Sequence, residues 1–310
     1  MRLGVLDIGS NTVHLLLIDA HPGARPIPFG SFKRALQLVA FLDDDGAINE
    51  KGQRELLDFI TEAAAFARTH DAEDLLAFAT SAIREAANGE AVLARVYVET
   101  GIRLAELSGP DEAAATFLAV RRWYGWGSGN ILNLDIGGGS FELAMGADEH
   151  PELALSVPLG AGRLTWDHLP GDPPSAKSVK AARRYIRETL EEPIAALRQL
   201  EPATIVAATS KSFRSLARIT GAAPRAAGPY VRRELHLRDL TLWANRLAAM
   251  SVADRAELPG VSDVRAKQML AAALVAEAAL SGLGIAVAQI CPWALREGLI
   301  LQRFDQLRAL

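Results

Sequence analysis

The same short phrase opens both halves of this chain. Near the N-terminus stands "GVLDIGSNTVHLLLIDA" (residues 4–20), and from residue 133 stands "NLDIGGGSFEL". Each is an apolar run of strand length that ends in Asp-Ile-Gly, followed by a short polar turn and a second apolar run. Two such runs joined by a glycine turn read as an antiparallel hairpin. One hairpin at the head of each half points to a fold made by duplication.

The segments behind the hairpins repeat in order. In the first half the patterning predicts strands at 3–8, 15–20 and 27–33, then a helix at 50–69 and a strand at 75–79. Helical segments at 81–87 and 90–99, a strand at 103–107 and a helix at 111–124 complete it. The second half has strands at 131–136, 141–146 and 153–159, helices at 162–168 and 176–200, and a strand at 204–208. Helices at 211–220, 237–251 and 265–280, a strand at 286–291 and a last helix from Trp293 follow. Each half is a three-strand meander and then alternating helices and strands, which is α/β architecture. The join is expected in "RRWYGWGSGN" (residues 121–130), where Gly and Ser cluster. That gives domains 1–124 and 125–310, with the last helix able to pack back on the first.

At 310 residues the chain is long enough for two domains, and with half its residues hydrophobic each can have a core. A net charge of −4 with 23% charged residues fits neither a disordered chain nor a general nucleic-acid binder. The single cysteine, Cys291, allows no disulfide within the chain and fits a reducing cytoplasm. Asp7 interrupts the first apolar run, so no signal peptide is read. The longest apolar stretch (residues 269–290) contains Glu277 and a Gly-Leu-Gly break, which suits a core helix and strand and not a membrane span.

The turns carry the chemistry. Their glycines are expected to take positive φ and to leave backbone amides bare, and bare amides in a concave turn bind phosphate. This nominates Gly9, Ser10 and Asn11 in one hairpin and Gly137, Gly138, Gly139 and Ser140 in the other. The Asp that ends each first strand suits a hard cation. Glu142 alternates to the face of Ser140, within reach of a metal shared with Asp135; the alternative is an exposed strand residue. In two facing domains, both turns would address one ligand in the cleft between them. For either motif alone, a plain tight hairpin is the alternative.

"SGPDE" (residues 108–112) is a helix start, with Ser108 as N-cap and Asp111 three residues later. Asp111 is explained by the helix dipole. Glu112 is the extra acid and the better catalytic candidate. Arg84 sits in the first turn of a helix, where the dipole opposes a cation; a phosphate partner explains it, and a surface ion pair is the alternative. "AATSKSFRSL" (residues 207–216) has the same strand–turn–helix context, so Ser210, Lys211 and Arg214 with the helix amides could hold a further phosphate, or cap an ordinary helix. Lys177, Lys180, Arg184 and Arg187 share a helix face, either a guide for a polyanion or, the favoured reading, a solvated surface. Arg296 is expected to pair with Glu297 or an acid elsewhere.

The two hairpins, with "FATSAIREAAN" (78–88), "LSGPDEAAATFLAV" (107–120) and "CPWALREGLI" (291–300), resemble the successive motifs of the exopolyphosphatase / guanosine pentaphosphate phosphohydrolase (Ppx/GppA) family. The resemblance covers nearly the whole chain and is to the short bacterial form, which lacks further C-terminal helical domains. It implies the duplicated actin / sugar kinase / Hsp70 fold, ribonuclease H-like, with an interdomain cleft. It implies hydrolysis of the terminal phosphoanhydride of inorganic polyphosphate, or of guanosine pentaphosphate, with Mg²⁺ or Mn²⁺, by a homodimer. By the same resemblance Glu112 is the general base, Asp135 and Glu142 hold the metal, and Arg84 binds phosphate. Many relatives read Glu-Glu where this chain reads Asp111-Glu112. The rivals are a kinase of the same fold and a non-hydrolysing nucleotide or alarmone sensor. The kinase would need Gly-rich nucleotide turns late in the chain, where only one Gly-Leu-Gly stands. The retained acids argue against the sensor.

Overall fold

The computed structural model describes residues 1–19, 21 and 27–308. Among these, the first sheet has five strands. β1 (Arg2–Ile8), β2 (Val13–Asp19) and β3 (Pro28–Arg34) form an antiparallel meander. The expected end of β2 at Ala20 lies outside the described residues. β4 (Asp74–Ala79) and β5 (Ala105–Glu106) add in parallel on the other side of β1, giving the order β3-β2-β1-β4-β5. The helices of this half are α1 (Glu50–Thr69), α2 (Ser81–Arg84) and α3 (Gly89–Thr100); α4 (Gly109–Tyr124) follows and, from Ala113 on, packs with the second sheet.

The second sheet repeats the plan. β6 (Ile131–Ile136), β7 (Phe141–Gly146) and β8 (Leu153–Val157) are its meander, and β9 (Ile205–Ala208) lies parallel to β6. β10 (Glu234–His236) and β11 (Val287–Ile290) complete the order β10-β11-β9-β6-β7-β8. Its helices are α5 (Ala161–His168), α6 (Ala176–Leu197), α7 (Ser210–Ile219), α8 (Leu237–Ala249), α9 (Val252–Ala256), α10 (Asp263–Ala266), α11 (Met269–Leu283) and α12 (Leu295–Arg308). Two mixed sheets with one shared order, clad in helices, make the duplicated α/β, actin-like fold. The chain groups into two compact units, Met1–Glu112 with Arg296–Leu310, and Ala113–Leu295. α12 therefore belongs to the first unit.

Each unit has its own core. In the first, α1 buries Leu56, Phe59, Ile60, Ala63 and Ala67, spaced by three and four, and Asn49 caps its start by accepting from the Gly52 amide at 2.9 Å. In the second, α11 is almost wholly apolar, Glu277 and Ser281 apart, and is buried along most of its length. Its alanines let α5, α6, α7 and α8 approach closely.

Local departures remain: the strand expected at 103–107 is only Ala105–Glu106, and α9 and β10 were not expected. The helix at 81–87 stops at Arg84, because the Asn88 side chain pairs with both backbone groups of Ile48 (2.8 and 2.9 Å) and draws the chain away. The helix at 265–280 is two helices, broken at Lys267 and Gln268. β10, three residues at a sheet edge, has too short a pattern to be read. No helix of the described residues is long and apolar enough to cross a membrane.

Candidate active site

In open α/β sheets the ligand end is the carboxyl end of the strands. β6 delivers Asp135 there, directly across from Glu142 on β7. Antiparallel partners point to one face, so the two carboxylates are neighbours, an unfavourable pairing without a cation. Glu142 is 2% exposed, which removes its reading as an exposed strand residue. Ser156 Oγ donates to Glu142 Oε1 at 2.9 Å, and Thr209 Oγ1 donates to Asp135 Oδ2 at 2.6 Å. Burial pushes the Asp135 carboxyl up to about 6, against the hydrogen bonds of Thr209 and Ser210 and the charges of Arg214 and Arg265.

The glycine turn between these acids is held from behind. The amides of Gly160 and Ala161 donate to the carbonyls of Gly139 (3.2 Å) and Gly137 (3.0 Å), and those of Gly162 and Arg163 to Gly138 (2.8 and 3.0 Å). The first amides of a helix lack partners within it, and α5 uses them on this turn. Because peptide units are planar and trans, three carbonyls aimed at α5 send the amides of Gly138, Gly139 and Ser140 the other way. No backbone hydrogen bond engages those three amides among the described residues.

The expected positive φ is wrong for Gly9 and Gly137, which keep ordinary dihedrals. Their glycine is set by close approach instead: a Cβ would lie 3.2 Å from the Thr12 carbonyl oxygen at Gly9, and 3.2 Å from that of Ser140 at Gly137. A tighter approach belongs to Gly160, where a Cβ would meet Gly139 C at 2.2 Å and Ser140 N at 2.4 Å. Sequence reasoning missed Gly160 and Gly162. Two glycines at the head of a helix in "LGAGR" (residues 159–163) were the available signal.

A Thr-Ser turn follows the next parallel strand in both units. Thr80 donates its amide to Ile8 (3.3 Å) and Thr209 to Leu134 (2.9 Å), with nearly equal dihedrals. Ser210 takes a left-handed φ of 65°, strain of the kind kept at functional sites. Lys211 is exposed beside it. Arg265 was also missed: it joins Arg214 and Asp135 from α10, and burial together with Arg214 pushes its guanidinium down to about 10.

In the first unit, Ser10 Oγ lies 3.0 Å from Ser81 Oγ, which ties the turn of Gly9, Ser10 and Asn11 to α2. Arg84 Nη1 donates to the Leu107 carbonyl at 2.7 Å and to Glu112 Oε2 at 3.4 Å. Both side chains are mostly buried, so this is no surface ion pair. Asp111 instead serves the helix end: its amide donates to Ser108 Oγ at 3.2 Å, and that hydroxyl donates to Asp111 Oδ2 at 2.5 Å. The two acids thus have separate surroundings. Lys177, Lys180, Arg184 and Arg187 are all exposed on α6, and Arg184 meets Glu188 at 3.8 Å, as on a solvated face.

Residues 18–307 match the Ppx/GppA phosphatase family. The chain belongs to that family. Exopolyphosphatase 1 of Mycobacterium tuberculosis (strain H37Rv) is 53% identical over 305 residues, covering 98% of this chain and 89% of the relative. Exopolyphosphatase 1 of Mycobacterium leprae (strain TN) is 52% identical over 98% of this chain and 90% of its own length. A crystal structure of an exopolyphosphatase from Cytophaga hutchinsonii superposes with a TM-score of 0.88 at 24% identity, over 99% of this chain and 98% of that one, which fixes the fold. In this Ppx/GppA chain the expected site residues fall into two sets: Gly9, Ser10, Asn11, Arg84 and Glu112 in the first unit, and Asp135, residues 137–140, Glu142, Ser210 and Lys211 in the second.

Proposed function

We propose that this chain is an exopolyphosphatase, which releases the terminal phosphate of inorganic polyphosphate by attack of water. One observation carries the reading: near full-length identity of 53% to Exopolyphosphatase 1 of M. tuberculosis. Glu112 is the general base. Its carboxylate takes a proton from the attacking water, and the Arg84 contact orients it. The amides of Gly138, Gly139 and Ser140, held outward by α5, donate to phosphate oxygens, as do those of Gly9, Ser10 and Asn11. Ser210, Lys211 and Arg84 add donors for further phosphates of the chain.

Asp135 and Glu142 fit a hard divalent cation, Mg²⁺ or Mn²⁺. They are two carboxylates on one face, each already oriented by a hydroxyl donor. Magnesium commonly takes one or two carboxylates and completes its shell with phosphate and water. The bound ion would supply charge stabilisation on the phosphoryl oxygens. A cytoplasmic location belongs to this reading, in line with the single cysteine of the sequence. A homodimer, tested by light scattering, is part of the same reading.

The carboxyl of Asp135 predicts a pH dependence. Its folded value, about 6, lies above the unfolded value near 3.8. Between these the native state binds more protons than the unfolded one, so metal-free stability falls as pH rises from about 4 to 6. Asp135→Asn is expected to remove that slope in melting curves taken in EDTA. Below pH 6 a metal must displace the proton, so Mn²⁺ affinity is expected to drop by about tenfold per pH unit. A pH-independent affinity from pH 4.5 to 6 would sink the assignment of Asp135.

The activity is tested by phosphate release with Mg²⁺ or Mn²⁺ from short polyphosphate, guanosine pentaphosphate and ATP, side by side. Release from polyphosphate is the expected result. Release from guanosine pentaphosphate alone keeps the mechanism and changes the substrate. No release from any of them moves the chain to a sensor, and phosphate passed from ATP to an acceptor moves it to a kinase.

A further inference from the structure

The two hairpins share a backbone plan and differ in what faces the first acid. In the second unit Asp135 faces Glu142, two negative charges on one face. In the first, Asp7 faces His14 at the matching position. Arg296, in the first turn of α12, closes on both. Its Nε lies 3.8 Å from Asp7 Oδ2, and its Nη1 hydrogen-bonds His14 Nδ1. A guanidinium only donates, so His14 Nδ1 accepts and the ring is the neutral tautomer with its proton on Nε2. Arg296 thus stands directly on Asp7 and His14 at the first hairpin, whereas at the second Asp135 is paired across the strands with another carboxylate, and its cations, Arg214 and Arg265, act on it from α7 and α10. A cation at the start of a helix is opposed by the helix dipole, so α12 itself gives no reason for Arg296 to stand there.

From this we infer that Arg296 is a built-in substitute for a divalent cation at the first hairpin, which leaves the chain with one divalent site, at Asp135 and Glu142. Arg296 is a positioning residue. It fixes Asp7 and His14 at the foot of the turn of Gly9, Ser10 and Asn11, so that turn binds phosphate without a metal. With Arg296 in place the first hairpin is set without a metal, and only the second responds to metal supply. The inference rests on the reading that Asp135 and Glu142 hold the metal.

The test is Mn²⁺ binding to the full chain, counted by electron paramagnetic resonance of the free ion. Wild type is expected to bind one Mn²⁺, lost in Asp135→Asn and kept in Asp7→Asn. The double variant His14→Glu/Arg296→Gln, which copies the second hairpin's acids into the first, is expected to bind two. Arg296→Lys, which keeps the charge, stays at one. Two sites in wild type, loss of the site in Asp7→Asn, or a folded double variant that still binds one would overturn the inference. The two single Asp variants decide the question even if the double variant does not fold. A wild type with no site at all overturns the metal assignment of Asp135 and Glu142 instead, so the two failures are told apart.

Discussion

Replacing Glu112 by Gln is expected to lower kcat by about 10²–10⁴-fold, the usual contribution of a positioned general base. Polyphosphate binding should stay near the wild-type level. Gln has nearly the same shape, and its amide oxygen can still accept from Arg84, so the only large loss is the ability to take a proton. The helix start should survive, because the Glu112 backbone amide, bonded to Ser108 O at 2.9 Å, is unchanged. Asp111→Asn is the informative companion. Asp111 is exposed and engaged with Ser108, so its loss should weaken the helix end slightly and leave kcat alone. Steady-state phosphate release by the two variants separates the acids. A silent Asp111→Asn beside an active Glu112→Gln would make Asp111 the base. A change confined to KM in Glu112→Gln would mean that it binds substrate and does no proton transfer.

The contrast between these acids also marks how far the sequence could be read. Long periodic elements were legible: α1 and the β1–β2 and β6–β7 hairpins stand within a residue or two of their expected bounds, since apolar spacing alone dictates them. The Asp-Ile-Gly turns and the capping role of Ser108 and Asp111 were legible for the same reason, being local. What failed was set by tertiary contact. Nothing near Gly137 says that its neighbours will be gripped by the amides of α5, so the need for glycine was given the wrong cause, dihedral freedom in place of close approach. Arg265 meets an acid far away in sequence, and for Arg296 an acid elsewhere was expected but not which one, because a sequence does not tell which cation meets which carboxylate. The second sheet's edge strand β10 failed by brevity, because three residues show no period.

Gly160→Ala should be nearly as damaging as loss of the base, by a different route. The added Cβ would sit 2.2 Å from Gly139 C, 2.4 Å from Ser140 N and 2.5 Å from Gly138 C, all backbone atoms. Carbon atoms rest at roughly 3.5–4.0 Å, so the turn or α5 must move by more than about 1 Å. Movement breaks the four amide-to-carbonyl bonds that aim residues 138–140 outward. A displacement of about 1 Å at a positioning group costs on the order of 10²-fold in rate, and overpacking of this kind costs about 1–3 kcal/mol in stability. The expected result is a fall of about 100-fold or more in kcat/KM with a raised KM, because phosphate-binding donors are lost in the ground state as well as the transition state. Gly127→Ala serves as the control, since a Cβ there meets nothing within 4 Å and its φ is ordinary. Full activity in folded Gly160→Ala would remove the glycine turn from the site. A raised KM in Gly160→Ala beside an unchanged KM in Glu112→Gln would separate phosphate binding at the turn of residues 137–140 from proton transfer at Glu112.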